Sequence, residues 1–432
     1  LFFCLSSALI SVHLRLVLFV RSDTDPIREL ASFHNEFAKP KGVYFAGNSL
    51  GLMPRSAELA VAKLIQEWKQ YGVEGWADCG WLDQAERLSP GLAPLVGAHP
   101  DEVIVTGTTT VNLHQLLATF YQPGTNKRKI LIDGHAFPSD RYAVASHLRF
   151  RGRDPVADLM VVSPRSGQIF SPGELAERFS TDVAIAVLPS VIFTTGQLMP
   201  LAELVGAAEQ KEIVLILDCS HSIGSVPHDF HRDRVPLAFW CSYKYLNGGP
   251  GAVGGLFCQR DRLGSVPGLV GWWGNDPGTR FDMTFELQPA ETVSRFHIST
   301  PNLLSLVPLG ASLEIFHRAT ISKVRSTSLK LTDLFMQRAK EVLPEFDIVT
   351  PSEPDQRGGQ VTLRHAEGRR ISSVLRRRHR IIGDFRAPDL LRFAPVALYN
   401  SAEEVDLAVA ALREIMDQRE YLEINDAKES VT

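Results

Sequence analysis

The sequence predicts an α/β fold with a large, mostly parallel seven-stranded-type sheet, followed by a smaller α+β unit. Three observations predict it. From about 101 to 260, short apolar runs alternate with helical stretches, the pattern of a sheet with helices on its faces. Two of those runs, 213–217 and 237–241, are apolar throughout, as strands buried on both faces are. After about 311 the chain turns helix-rich, and only short strand-like runs follow.

The elements follow in order. A short helix is expected over 23–37, a brief strand over 43–46, and a turn over 47–54, GNSLGLMP. Residues 57–71 have helical periodicity, with Leu59, Ala62, Ile65 and Trp68 on one face. Strands are expected at 103–105, 129–132, 159–162, 183–188, 213–217, 237–241 and 253–257. Residues 311–343 are helix-rich. A strand at 360–364, a helix near 369–379, a strand at 391–393 and an amphipathic helix over 402–419 complete the chain. The expected division is an apolar extension over 1–22, an arm over 23–70 that packs with the small unit, a large unit over 71–310 and a small unit over 311–432. No internal repeat or low-complexity segment interrupts it.

With 432 residues and 44% hydrophobic content, the chain can bury a large core. A net charge of −4 gives no case for nucleic acid or an anionic membrane as partner. The basic run RRRHR at 376–380 reads as a solvated helix face. Cys4, Cys79, Cys219, Cys241 and Cys258 are odd in number and contain no C-x-x-C. That suits reduced thiols and a cytoplasmic location, without a disulfide frame or structural zinc. Residues 1–20 are strongly apolar without an initial Met, yet His13 and Arg15 interrupt them and no basic region precedes them. They are expected to be an extension irrelevant to function, not an anchor, and no other segment is long and apolar enough to span a membrane.

The candidate chemistry lies at strand ends. The run 213–217 ends on Asp218. The run 237–241 leads to Lys244, with Gly248, Gly249 and Gly251 after it. Open α/β sheets bind ligands at the carboxyl ends of their strands. A lysine and an acid there suit pyridoxal phosphate: the lysine forms a Schiff base, and the acid keeps the pyridinium nitrogen protonated. An ordinary α/β protein also carries Asp and Lys at such ends. The neighbours add weight, because His221 lies three residues beyond Asp218 and Tyr243 directly precedes Lys244. In VTGTTTVNLHQLL, over 105–117, a strand ends in a Gly turn and threonines open an apolar helix. Thr109 and Thr110 are therefore phosphate candidates, although Thr is also an ordinary helix cap. Phe137 in HAFPSD can stack on a ring or serve as a core residue.

Seven segments in one order resemble the kynureninases, fold-type I pyridoxal-phosphate enzymes of the aminotransferase class V superfamily. They are YFAGNSLGLMP (44–54), TVNLH (110–114), FPSD (137–140), DCSHSIGSVP (218–227), CSYKYLNGGPG (241–251), GWWGNDP (271–277) and LLRFAPVALYN (390–400). The resemblance spans about residues 40–410. It implies that Lys244 carries the cofactor, that Asp218 pairs with the ring nitrogen, and that Phe137 stacks on the ring. Thr109, Thr110, Tyr243 and Trp272 would surround the cofactor and its phosphate. Pro138, Ser139, Asp140 and His221 would complete the pocket. Arg392 would clamp the substrate α-carboxylate, assisted by Asn48 and Ser49, with Trp273 also on the substrate side.

The implied reaction is hydrolysis of L-kynurenine to anthranilate and L-alanine, in tryptophan catabolism, with Tyr243 as acid–base group. A cationic neighbour is expected to lower the Tyr243 pKa. The resemblance further implies a homodimer in which Trp272 and Thr300 reach the neighbour's cofactor phosphate. The choice between kynurenine and 3-hydroxykynurenine is associated with two positions that match Trp76 and Thr300. Forms preferring the hydroxylated substrate carry His and Asn there, so kynurenine itself is the expected substrate; Trp81 is close enough in sequence to fill the place of Trp76. Two departures stand out: Asn275 replaces a family His, and Pro189 occupies a position expected to hold Ser or Thr, leaving Ser190 as the phosphate-side candidate. A related desulfurase or aminotransferase would also keep Asp218 and Lys244. A desulfurase needs a mobile cysteine in a small-residue loop of the late chain, and no cysteine here lies in one. A non-catalytic scaffold would need neither Tyr243 nor Arg392.

Overall fold

The computed structural model describes residues 29–424. The apolar extension expected over 1–22 lies outside them, as does the first part of the helix expected over 23–37; its described part is a 3-10 helix, Ala31–Glu36.

The seven expected strands form one sheet. Its strands, in spatial order, begin at Val103, Gly254, Leu237, Val214, Val183, Lys129 and Leu159. Gly254–Cys258 runs antiparallel to both of its neighbours, and the other pairings are parallel. Leu237–Cys241 is buried at every position, which accounts for its unbroken apolar composition. Gly255 lets the strands close over Trp240, since a Cβ there would lie 2.0 Å from the indole. Val214–Asp218 pairs in parallel with Leu237–Cys241, setting Asp218 opposite Phe239. Asp218 and the turn bearing Lys244 therefore emerge side by side at one edge.

A second core lies in a smaller unit. Its four-stranded antiparallel sheet orders the strands that begin at Asp347, Val361, Leu390 and Asp384. Helices Ile321–Val342, Gly368–Arg377 and Ala402–Gln418 contribute to the core beside it. The N-terminal arm joins both units. Val43–Tyr44 pairs with Ile381–Ile382, and Phe45 packs edge-on against Phe335 and Phe393 of the small core. Leu30, Phe37 and Leu52 belong to the large core.

Two sequence expectations need correction. The units do not divide at 311, because Leu303–Ala319 is one helix whose Leu306, Leu309, Leu313 and Phe316 belong to the large core. The change falls inside the next helix, where Val324 joins the large core and Leu331 the small one. In Arg55–Tyr71 the buried residues are Ala57 and Leu64. The expected apolar stripe points outward instead, with Leu59 at 73% and Trp68 at 64% exposure. Periodicity identifies an apolar face, but does not say whether the same chain covers it.

Candidate functional site

Four strand ends and two helix starts enclose a cavity of about 270 Å³. On its wall are Lys244, Asp218, His221, Tyr243, Thr109, Thr110, Phe137, Ser139 and Asp140, nine of the residues read from the sequence.

The turn that presents Lys244 is held from both sides. Asn247 takes a left-handed conformation (φ 53°), and its N–H donates to Lys244 O at 2.9 Å. The N-terminal turn closes over it, with Gly51 N–H donating to Tyr243 O at 2.7 Å. A Cβ on Gly51 would lie 2.3 Å from Lys244 O, so this approach requires glycine. Lys244 Nζ lies 2.8 Å from His221 Nε2 and 5.9 Å from the ring centres of Phe137 and Tyr243. Burial, then the positive charges of Lys244, Arg392 and Arg386, holds the His221 imidazole well below its ordinary pKa and keeps it neutral.

Three carboxyl groups share the floor. Asp218 Oδ1 accepts the Ser220 N–H at 2.9 Å, which fixes its plane. Burial raises Asp140 well above the usual range, helped by the Asp218 charge and a hydrogen bond to Asp218 and opposed by Lys244. Asp133 ends the strand Lys129–Asp133, and burial pushes it up to about 7 although Oδ1 accepts the His135 N–H at 2.8 Å. Its Oδ2 is buried without a hydrogen-bond partner.

The opposite side is rich in donors. Helix Thr109–Phe120 starts at the cavity under a Thr108 cap, and helix Pro138–Phe150 starts beside it. Thr110 Oγ1 and Ser139 Oγ are 2.6 Å apart. Two helix starts and these hydroxyls turned to one place are the kind of donor set that suits an anion. The donor set fits pyridoxal phosphate: an amine for its aldehyde, carboxyl groups for its ring nitrogen, and hydroxyls with helix starts for its phosphate.

Other sequence-read residues lie elsewhere. Ser190 is not on the cavity wall. Pro189 lines the cavity, and the next side chain turns away, as side chains alternate along extended backbone. Ser190 Oγ is instead 2.6 Å from Ser222 Oγ. Pro138 begins its helix without lining the cavity. The Tyr243 pKa is not lowered: burial raises it, with Cys241 and Asp218 adding to the effect and only Arg386 opposing it. The phenol is therefore held protonated.

Arg392 is 1% exposed and sits behind Phe193, its guanidinium 5.6 Å from that ring's centre. It pairs with Asp384 and donates from Nη1 to Phe193 O at 2.7 Å, while its Nε is buried with no partner. Asn48 is buried and donates to Gln360 Oε1 at 3.1 Å; the Ser49 N–H donates to Ala46 O. Trp272 is 43% exposed, with its indole N–H on Arg280 O. Trp273 is buried beneath Arg280 and 6.0 Å from Trp76, ring centre to ring centre. Trp76, Trp81 and Thr300 line a second cavity of about 420 Å³. Asn275 ties its own loop, donating to Trp272 O and accepting from Gln288 N–H.

Several lining residues were missed, among them Asp133, His135 and Phe193. An acid at the end of an apolar strand, the signal that found Asp218, was equally present at Asp133. Phe193 had no sequence signal.

Comparison with known proteins agrees with this geometry. A family model described as the kynureninase C-terminal domain matches residues 324–412. The chain is 43% identical over 412 residues to a kynureninase of Geobacillus thermodenitrificans, covering 94% of this chain and 95% of that protein. It is 41% identical over 414 residues to a kynureninase of Bacillus anthracis, covering 95% and 96%. Among solved structures, a cystine C–S lyase in complex with cysteine persulfide superposes with a TM-score of 0.72 at 21% identity, over 87% of this chain and 98% of that one. A cysteine desulfurase of Escherichia coli gives 0.73 at 17% identity, over 90% and 98%. At these identities the two structures establish the shared fold.

Proposed function

The chain belongs to the kynureninase family, and on that premise we propose how its residues carry out the pyridoxal-phosphate-dependent hydrolysis of L-kynurenine to anthranilate and L-alanine. The observation that supports this most is the meeting of Lys244, Asp218 and two hydroxyl-bearing helix starts around one cavity. Bound there, pyridoxal phosphate supplies an electron sink for the bonds that change at the substrate's α- and β-carbons.

Asp218, with its plane fixed by the Ser220 N–H, would keep the ring nitrogen protonated. Asp140, its pKa held well above the usual range by burial, lies beside Asp218 and supports it from the other side. Thr109, Thr110 and Ser139 would hold the phosphate, and Phe137 would cover a ring face. Lys244 would hold the cofactor through its amine, and the same amine, 2.8 Å from His221, is the base placed to take the proton from substrate Cα. The neutral His221 accepts a hydrogen bond from Nζ and aims it. Tyr243, protonated because it is buried, delivers a proton as water adds at the γ-carbonyl and the Cβ–Cγ bond breaks. Arg392 binds the α-carboxylate. Asp384 and Phe193 O hold its guanidinium in place, and the unpartnered Nε–H supports an anion as its further ligand.

The working unit is a homodimer in which Trp272 and Thr300 face the neighbour's cofactor phosphate. Both lie outside the Lys244 cavity of their own chain, which supports this reading. The protein acts in the cytoplasm on a free amino acid; among the described residues no helix is long and apolar enough to cross a membrane. Product analysis tests the assignment. Equimolar anthranilate and L-alanine from L-kynurenine are expected, and sulfur release from cysteine without kynurenine turnover would contradict it.

A further inference from the structure

We propose that His99, Glu102 and His231 form a binding site for a divalent transition ion of the zinc class, remote from the Lys244 cavity. Their donor atoms all lie within 4.8 Å of one another. None of the three lines the cavity, and the reaction uses none of them.

The site is built from the carboxylate outward. Glu102 is 1% exposed, at the end of the short turn Pro100–Glu102. Its Oε1 accepts the Arg260 N–H at 2.8 Å. Its Oε2 accepts the His99 N–H at 3.0 Å and lies 2.5 Å from His231 Nε2. These three hydrogen bonds orient the carboxylate before any ion arrives.

Both imidazoles face this carboxylate from solvent. The Glu102 N–H donates to His99 O at 3.1 Å, and the His99 N–H donates back to Glu102 Oε2, which holds the His99 residue beside the carboxylate. The two rings stand 4.5 Å apart at 81°, and both residues are exposed. A His–Glu ion pair explains the position of His231, but not a second imidazole whose ring nitrogen also lies within 4.8 Å of the carboxylate. Zinc–nitrogen bonds of about 2.0–2.1 Å require donors roughly 3.3 Å apart. Rotation of two exposed rings closes the remaining gap, and water completes the shell. Two imidazoles and a carboxylate select zinc, copper or nickel over magnesium or calcium.

Such an ion would staple separate segments. His231 lies in the link between strands Val214–Asp218 and Leu237–Cys241, the two that present Asp218 and Lys244. That link already hydrogen-bonds to the end of helix Ser89–Val96, through Phe230 N–H to Val96 O at 2.8 Å. Ion binding would raise thermal stability by mass action.

The test is calorimetric titration of the holoenzyme with zinc chloride, for the wild type and for His99→Ala and His231→Ala. Both substitutions are at exposed positions, so folding is retained. The expected result is one zinc ion per chain bound by the wild type that each variant loses or binds at least about tenfold more weakly. Zinc should also raise the melting temperature of the wild type more than that of either variant, and magnesium should raise none of them. Equal stoichiometry and affinity in all three proteins, or no binding to the wild type at micromolar zinc, would overturn the proposal.

Discussion

Lys244 Nζ lies 2.8 Å from His221 Nε2, and the imidazole is neutral because it is buried beside that amine. The pair defines the reactive end of the cavity, since a neutral imidazole can accept from the lysine without competing for its negative partners. Lys244→Ala should therefore bind cofactor only reversibly. Borohydride treatment of the wild type should fix the cofactor to the chain and bleach its visible absorbance. Reducible linkage persisting in the variant would place the anchor on another lysine.

Arg392 is buried with two of its guanidinium nitrogens engaged and its Nε unpartnered. Arg392→Lys keeps a positive charge but loses the planar fork. A charge-assisted hydrogen bond contributes about 1.5–3 kcal/mol, so KM for kynurenine should rise roughly 10- to 100-fold while cofactor absorbance is retained. An unchanged KM would remove Arg392 from substrate binding.

Asp133 predicts a pH dependence in the cofactor-free protein. Its pKa is about 7 when folded, against about 3.9 in an unfolded chain. The folded state thus holds a proton that the unfolded state releases. Its stabilising effect is complete below about pH 4 and is lost as pH rises to about 7, an effect on the order of 4 kcal/mol. Asp133→Asn should match the wild type in urea unfolding near pH 4 and exceed it near pH 8. A stability difference constant across that range would show that Asp133 titrates normally.

The substrate ring is the next test. Trp76, Trp81 and Thr300 line one cavity, and Trp76 packs against Trp273. Indole faces give a ring hydroxyl little to bond with, and apolar sites discriminate weakly. Kynurenine should have the higher kcat/KM, by about tenfold or less, over 3-hydroxykynurenine. A clear advantage for the hydroxylated substrate would refute the assignment of these residues to the ring pocket.

Strand ends were legible because burial on both faces writes an unbroken apolar run, and the first polar residue after it marks the edge of the sheet. Asp218 is read this way, Lys244 follows its strand by three residues, and Asp133 could have been read like Asp218. Side-chain direction one residue further on was less legible: Ser190 is adjacent to the cavity-lining Pro189, yet faces Ser222. The electrostatics of Tyr243 were not legible at all, because the balance of burial, Asp218 and Arg386 depends on three distant segments meeting. Helix Arg55–Tyr71 illustrates a further limit. Its periodicity gave the helix, but Leu59, Ile65 and Trp68 stay exposed in the single chain. The cover for such a face is not written in its own spacing.

The central claim is that this cavity hydrolyses kynurenine through Lys244. The most direct measurement is anthranilate fluorescence from purified holoenzyme given L-kynurenine, compared with Lys244→Ala at equal cofactor. Sustained anthranilate release by the wild type, with loss of at least about a thousandfold in the variant, is the predicted result. No anthranilate from the cofactor-loaded wild type, or equal rates in the two proteins, would contradict it.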